Sequence, residues 1–246
     1  MLCRIRADLH VHTCLSPCGD LQMSPKKIVA KALARNIGML AICDHNSAEN
    51  APAVMLAAKT GGTTVLPGME VCSKEEVHVL GIFDRVEAAF ELQSIVQDHL
   101  AGKNDPAVFG PQVIANEFDE VVGFQDKLLI GACDLPVDRV VDEIHRLGGI
   151  AVASHIDRQM FSVISQLGFI PDRLNFDALE LTGFVKTPDA RRRFNASGKF
   201  PFVRNSDAHQ LADLGSNTCE YLLEEPRLDE IRKAFRGEDG RAVCED

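Results

Sequence analysis

Six histidines fall at the ends of apolar segments, and three carboxylates accompany them. Imidazole nitrogen together with carboxylate oxygen suits zinc, manganese or iron, whereas a calcium site would use oxygen ligands alone. Residues two apart on a strand project from the same face, so His10 projects together with His12, and Asp207 with His209. The set exceeds the four ligands of one tetrahedral ion, so it predicts more than one bound ion. The histidines are His10, His12, His45, His78, His155 and His209, and the carboxylates are Asp44, Glu70 and Asp207.

Asp44 and the two remaining histidines have different expected roles. Asp44 faces opposite to His45 on the same segment, so we expect it to orient a neighbour rather than to bind metal. His99 and His145 lie inside helical segments without acidic or histidine neighbours, so we expect them outside the site.

Alternating strand and helix signals describe the elements that must position these residues. Arg4–His12 alternates apolar and polar side chains, as a half-buried strand does. Ser24 followed by Pro25 predicts a helix N-cap with proline at the first helical position, and Gly38 is predicted to end that helix. Strands alternating with helices imply a mostly parallel sheet, and seven or eight such units imply a closed barrel, with an open doubly wound sheet as the competing architecture. Further strands are predicted at 39–45, 63–71, 75–83, 150–155, 178–182 and 201–209, and further helices at 47–59, 85–101, 137–147 and 228–235.

The segment 102–135 interrupts this alternation. It is too long for an ordinary connection of roughly 2–6 residues, and its pattern predicts an inserted hairpin with a short following strand. We expect a single barrel domain over residues 1–246 with 102–135 as a lid over the pocket. The alternative is an edge hairpin with no part in catalysis.

Composition bounds the function further. The chain has 246 residues, of which 46% are apolar and 25% charged, and this is typical of a soluble globular protein. The formal net charge of −10 predicts that a long nucleic acid would be repelled. The sequence contains no run of 18 apolar residues and no signal peptide, which predicts no membrane association and a cytoplasmic location. The eight cysteines are scattered along the chain, so we expect reduced thiols.

The ordered motifs resemble those of the polymerase and histidinol phosphatase (PHP) family of metal-dependent phosphoesterases. The resemblance runs in the family's order from residue 8 to residue 209. It implies a distorted (β/α)7 TIM-like barrel with up to three metal ions at the carboxyl face of the strands. The motifs are DLHVHT (8–13), ICDHN (42–46), GMEV (68–71), VHVLGIF (77–83), ASH (153–155) and NSDAH (205–209).

The resemblance also implies how the ligands divide among the ions. His10, His12, Glu70 and Asp207 would hold one ion, and Glu70 would bridge to a second ion held by His78 and His155. His45 and His209 would hold the third ion with a residue from the loop after His12. That loop, CLSPCGDLQMSP (14–25), is longer than the usual family form, and counting back from Pro25 favours Asp20, with the thiolate of Cys18 as the alternative.

Such a centre is suited to phosphate chemistry. Two or three divalent ions would make the mouth of an acidic protein locally cationic. Water bound to such ions ionises near pH 7, which predicts hydrolysis of a phosphate ester by metal-bound hydroxide without a protein nucleophile. Glu70, Asp207 and His209 are the predicted catalytic residues, and Arg158 and Lys74 are candidates to hold the substrate phosphate.

Several functions remain open at this level. The first expectation is a hydrolase of a small phosphorylated metabolite or nucleotide, with no long nucleic acid and no membrane as partner. A nuclease that acts on short oligonucleotides is a second possible enzyme, although the sequence shows no run of alternating basic and aromatic residues that would bind nucleic acid. A metal-stabilised, non-catalytic regulatory module belongs to a different class, and an amidohydrolase-like barrel would need a lysine at a strand end. Sequence leaves the native metal, the substrate and the oligomeric state undetermined.

Overall fold

The computed structural model describes residues 1–171, 173–194 and 199–244, and its strands and helices alternate along most of that length. The strands are β1 Cys3–Val11, β2 Met39–Ile42, β3 Thr64–Cys72, β4 His78–Ile82, β5 Val113–Ala115, β6 Val121–Phe124, β7 Ile150–Ala153, β8 Ala178–Leu181, β9 Phe202–Arg204, β10 Cys219–Leu223 and β11 Ala242–Cys244. The helices are α1 Pro25–Ala34, α2 Ala51–Ala58, α3 Val86–Asp98, α4 Pro106–Phe109, α5 Val137–Arg146, α6 Val163–Leu167, α7 Thr187–Arg193 and α8 Leu228–Arg236.

Within the described ranges, nine strands form one sheet in the order β11-β10-β1-β2-β3-β4-β7-β8-β9. The sheet curves until its last strand returns to β1. Val11 forms a parallel bridge with Ala208, and the His12 backbone N–H donates to the Ala208 carbonyl at 3.0 Å. The Leu9 N–H donates to the Asn205 side chain at 2.6 Å. These contacts nearly close the sheet at the carboxyl end of β1, which confirms the predicted distorted barrel.

Strand β4 runs against both of its neighbours, so the barrel is not uniformly parallel. Residues 73–77 join β3 to β4 as a short connection without a helix, and the register pairs Cys72 with His78. The amino end of β4 therefore lies beside the carboxyl end of β3. His78 begins its strand, yet it reaches the same mouth as the histidines that end theirs.

Apolar faces of the helices cover the sheet. Pro25 starts α1 after Ser24, as the sequence predicts. On α5, Val137, Val140, Val141 and Ile144 form one buried stripe that joins the largest core cluster. No helix among the described residues is long and apolar enough to cross a membrane.

The interrupting segment 102–135 contains α4 and the antiparallel hairpin β5–β6. Its second half enters the largest core cluster through Leu129 and Cys133, which are 0% and 1% exposed. The Asn46 side chain, next to His45, donates to the carbonyls of Leu129 and Gly131 at 2.8 Å. The segment is thus attached at the mouth of the barrel, and its roles as a lid and as an insertion within one 1–246 domain stay predictions.

Candidate metal centre

Four of the predicted ligands converge at the mouth of the barrel. His10 and His12 leave the end of β1, Glu70 lies in β3, and Asp207 follows β9. The Nε2 atoms of His10 and His12 are 3.1 Å apart, and they lie 3.2 and 3.1 Å from Asp207 Oδ1. His10 and His12 are fully buried. The structure therefore brings together the four groups that the resemblance assigns to one ion.

Glu70 is the centre of the whole arrangement. Its carboxylate is 1% exposed and faces five imidazoles. His45 and His78 each place Nδ1 3.1 Å from a Glu70 oxygen, and His155 places Nε2 at 3.3 Å. His45, Glu70 and His78 form a second group whose ligand atoms all lie within 4.8 Å of one another. His155 thus approaches the same carboxylate from the end of β7.

A third group contains His12, His45 and His209. The ring centroids of His12 and His209 are 4.0 Å apart. The structure does not bring the Asp20 carboxylate into this group: Asp20 is exposed, and its Oδ1 accepts from the Gln22 N–H at 2.7 Å.

Cys18, the alternative to Asp20, is also exposed, but it lines the same cavity as His45 and His209. Desolvation opposes ionisation of its thiol, but hydrogen bonds with His209 and His45 outweigh it and lower the pKa of Cys18 to about 6. A thiolate suits zinc among the metals considered. Counting residues in a loop of unusual length could not distinguish the two residues, because the conformation of the loop decides which side chain turns inward.

The donors fit a set of transition-metal ions. Around a tetrahedral ion with bonds of roughly 2.0–2.1 Å, neighbouring donor atoms stand about 3.3 Å apart. The separations of 3.1–3.6 Å between the imidazole nitrogens and the oxygens of Glu70 and Asp207 are close to that spacing. Glu70 Oε1, Asp207 Oδ1 and His78 Nδ1 are buried without hydrogen-bond partners, as groups reserved for a cation would be.

Both carboxylates at the centre are ionised at neutral pH. Burial would raise the pKa of Glu70, but the imidazoles of His78 and His10 hold it well below its usual range. Burial acts in the same direction on Asp207, where the charge of His10 and the contact with His12 at 3.1 Å hold the pKa well below its usual range. The two groups are therefore available as anionic ligands.

A further buried carboxylate, Glu180 in β8, supports the centre and was not anticipated from sequence. Both of its oxygens lie 3.1 Å from His10 Nδ1. Asn205 Nδ2 donates to one oxygen at 2.7 Å, and the His155 backbone N–H donates to the other at 2.9 Å. Because Glu180 occupies Nδ1, it leaves His10 Nε2 free to face the ligand cluster. The available signal was an acidic residue inside the apolar segment ALEL (178–181), which needs a buried partner.

Asp44 orients the second histidine of the pair through a serine. Ser16 Oγ donates to Asp44 Oδ1 at 2.7 Å and lies 2.9 Å from His12 Nδ1. The Thr13 backbone N–H and hydroxyl also donate to Asp44, at 2.7 and 2.8 Å. Asp44 therefore lies where an orienting residue is expected. It contacts the imidazole of His12 through Ser16, and not the imidazole of His45.

The two phosphate-binding candidates are placed differently. Arg158 Nη1 lies 2.6 Å from Asp207 Oδ2, directly beside the cluster. Lys74 instead pairs with Asp134 at 2.6 Å, and both side chains are more than half exposed. Lys74 is therefore tied to the inserted segment and does not line the cavity over the centre.

His99 is exposed and His145 pairs with Asp177, so neither belongs to the ligand groups found among the described residues.

Comparison with known proteins identifies relatives of this arrangement. The sequence profile of the PHP domain matches residues 8–162, which is more than half of the chain. A 5'-3' exoribonuclease of Haemophilus influenzae is 30% identical over 105 residues, which cover 41% of this chain and 36% of that protein. The chain thus spans about a third of the length of this curated relative.

Solved structures share the fold. The lesion-specific endonuclease PfuEndoQ of Pyrococcus furiosus superposes with a TM-score of 0.77 at 19% identity, over 98% of this chain and 58% of that chain. A complex of endonuclease Q with a 27-mer duplex substrate, carrying an abasic lesion at the active site, gives a TM-score of 0.74 at 18% identity with the same coverage.

These relatives correct one expectation. The net charge predicted that a long nucleic acid would not be a partner, and that prediction is wrong, since an exoribonuclease and a duplex-binding endonuclease are among the proteins to which this chain is similar. The physical reason is that a net charge of −10 sums the whole surface. Charges on distant faces are screened within about 8 Å at physiological ionic strength. The field at the mouth is set locally, by Arg158 and by any bound cations.

Proposed function

Because the chain belongs to the PHP domain family, whose profile spans residues 8–162, we propose that it is a metal-dependent phosphoesterase that cleaves phosphate esters in nucleic acids. The observation that carries the proposal is a cluster of six histidines, Glu70 and Asp207, in which Glu70 and all the histidines except His209 are buried, beside the cationic side chain of Arg158. The nuclease relatives support the nucleic-acid part of the proposal.

Metal ions are the implied cofactor. We propose two or three divalent ions of zinc, manganese or iron, held by His10, His12, Glu70 and Asp207 and by the two neighbouring groups around His45. When bound, these ions supply a water molecule that ionises near neutral pH and offset the charge of the phosphate. The choice among the three metals and the cytoplasmic location stay predictions.

The chain's own groups contribute orientation and charge. Glu180 holds His10 by Nδ1, and the Asp44–Ser16 pair holds His12 by Nδ1, so both imidazoles present Nε2 to the centre. Fixed donors need no rearrangement when charge develops, which is the largest contribution in many enzymes.

The cluster also forms the floor of a cavity of about 450 Å³. Among the described residues that line this cavity, Arg158 is the only lysine or arginine. It is therefore the group placed to bind a non-bridging phosphate oxygen.

Cleavage of labelled oligonucleotides tests the proposal. We would incubate the full chain with manganese, zinc or iron(II) and 5'-labelled single-stranded RNA, single-stranded DNA or duplex DNA with one abasic site. The expected result is shortening of at least one substrate, dependent on added metal and abolished by chelator. Glu70→Gln should lose this activity, whereas His99→Ala, at an exposed helix end, should retain it.

Two results would contradict the proposal. Cleavage that persists in Glu70→Gln would assign the activity to a contaminant or to another site. A full complement of metal without cleavage of any of the three substrates would instead support the non-catalytic metal module.

A further inference from the structure

A second cavity opens beside the one above the metal centre. It has a volume of about 250 Å³ and is bordered by the loop after β8, at Thr182, Gly183 and Phe184, and by Asn217. The two cavities share three lining residues, His155, Arg158 and Asp207. Each therefore begins at the metal centre. Together they fall within the range of about 300–1,000 Å³ that is typical of small-molecule sites.

The distribution of charge fixes where a phosphate would lie. Within the part of the chain that the structure describes, Arg158 is the only lysine or arginine that lines either cavity, and it lies where they meet. Its Nη1 is 2.6 Å from Asp207 Oδ2, so it stands directly over the ligand cluster. A phosphate bound at this junction would have neutral or acidic surfaces on both sides. The groups attached directly to this phosphate, which enter the two cavities, are therefore expected to be uncharged, as nucleosides are.

The walls of the two cavities differ, and the wall of each suits part of a nucleoside. In the larger cavity Ile130 and Met160 are 38% and 64% exposed, and the Phe161 ring stacks on the His78 ring with centroids 4.6 Å apart. An apolar wall of this kind suits the face of a nucleobase. The smaller cavity has Phe184 at its rim, 96% exposed, and the polar side chains of Asn217 and Asp213. These can accept hydrogen bonds from sugar hydroxyls or base amino groups.

We propose that the two cavities are subsites for the two ester groups of a phosphodiester, with a nucleobase against Ile130 and Met160 and the second nucleoside against Phe184 and Asn217. This inference rests on the proposed function and assigns the two sides of the scissile diester to particular residues of this chain. Hydrolysis adds water across one P–O ester bond: the hydroxyl joins phosphorus, and the proton goes to the departing sugar oxygen. The products are a phosphomonoester and an alcohol, and a monoester substrate would fill only one of the two subsites.

Filling the smaller cavity tests the inference. A Cβ on Gly183 would meet nothing closer than Asn217 Cγ at 3.8 Å, so Gly183→Leu fits the backbone and places its side chain at the subsite. Gly62→Leu is the matched control, because Gly62 is exposed, precedes β3 at its amino end and has only Leu33 nearby, at 3.9 Å. Phe184→Ala provides a second variant that leaves the core untouched.

The assay compares the manganese-loaded full chain on the p-nitrophenyl ester of thymidine 5'-monophosphate, a diester, with p-nitrophenyl phosphate, a monoester. We expect wild type to prefer the diester in kcat/KM by about 100-fold and Gly183→Leu to reduce that ratio by about 10-fold or more. Phe184→Ala should raise KM for the diester, and Gly62→Leu should keep the wild-type ratio. An unchanged ratio in Gly183→Leu and an unchanged KM in Phe184→Ala would overturn the subsites while leaving a phosphoesterase. Failure of wild type to hydrolyse either ester with manganese, zinc or iron would overturn the proposed function and the subsites together.

Discussion

Glu180→Gln tests how the centre is held in place. The Glu180 carboxylate is 2% exposed and accepts from three donors, on His10, Asn205 and the His155 backbone, at 2.7–3.1 Å. Glutamine has the same size, but it replaces one acceptor oxygen by a donor, so at least one of the three donors would face another donor. A hydrogen bond to a charged group is worth about 1.5–3 kcal/mol, so we expect the free energy of unfolding to fall by about 2–3 kcal/mol.

The same substitution should also weaken metal binding, which a substitution that only destabilises the fold would not do in the folded protein. Loss of the carboxylate that orients a ligand imidazole lowers metal affinity about 10–100-fold. That range corresponds to about 1.4–2.7 kcal/mol of binding free energy. The assay is competition for zinc between the full chain and a chromophoric chelator, with urea unfolding followed in parallel by circular dichroism.

Two further variants interpret the result. Glu220→Gln is the matched control, because Glu220 is exposed on β10 and pairs with Arg4 at 2.9 Å, so its affinity for zinc should equal that of wild type. Glu180→Asp keeps the charge and should recover part of the lost affinity. Wild-type affinity in Glu180→Gln, measured on folded protein, would refute the orienting role.

Three other predictions follow from the loop after β1 and from the far end of the sheet. Cys18→Ser should lower the number of bound zinc ions, whereas Asp20→Asn should leave it unchanged, as elemental analysis of both would show; the reverse pattern would restore Asp20 as the ligand. Gly19→Ala should destabilise that loop by about 1–3 kcal/mol, because its Cβ would lie 2.3 Å from the Thr13 carbonyl oxygen, and urea unfolding with an unchanged midpoint would contradict this. The hydrogen bond from Arg241 lowers the pKa of Glu230 from 4.5 to about 2. The ionised Glu230 carboxylate therefore stabilises the folded state above pH 4.5, and this stabilisation is lost as the pH falls toward 2. The unfolding free energies of wild type and Glu230→Gln should therefore differ by roughly 1–2 kcal/mol at pH 7 and converge in acid; a difference that does not depend on pH would exclude the ion pair as its cause.

Most residues of the ligand cluster could be predicted from sequence because they lie at the ends of predicted strands. His10, His12, His45, His155 and Asp207 stand at or just beyond the ends of predicted strands, and the carboxyl ends of parallel strands meet at one face. His78 satisfied the prediction for a different reason. It begins β4, and it reaches the mouth because β4 runs antiparallel to β3 and β7. Spacing alone could not reveal that reversal.

Other features depend on contacts between distant parts of the chain. Glu180 looks like an isolated charge in its strand, and its role appears only when β8 is placed across the barrel from His10. Lys74 was a phosphate-binding candidate by its distance from Glu70 in sequence, but the inserted segment supplies Asp134 as its partner. Whether Cys18 or Asp20 completes the third group depends on the conformation of a loop whose sequence gives no periodic signal.

The inserted segment shows the same limit. Its hairpin was predicted from the sequence pattern of the segment, and β5–β6 matches that prediction. Its second half contributes Leu129 and Cys133 to the main core, and the sequence between them showed no helical or alternating period to indicate this. Removal of 102–135 would therefore expose part of the core that packs against α3 and α5 and would not simply uncover a pocket.

The central claim is that the buried cluster at the barrel mouth binds metal, and counting the ions tests it most directly. The measurement is inductively coupled plasma mass spectrometry of the full chain, purified without chelator, beside Glu70→Gln and His99→Ala. Glu70 faces five imidazoles, so we expect two or three transition-metal ions per chain in wild type and His99→Ala and at least one fewer in Glu70→Gln. Wild-type protein with no bound metal, or Glu70→Gln with the full complement, would contradict the account.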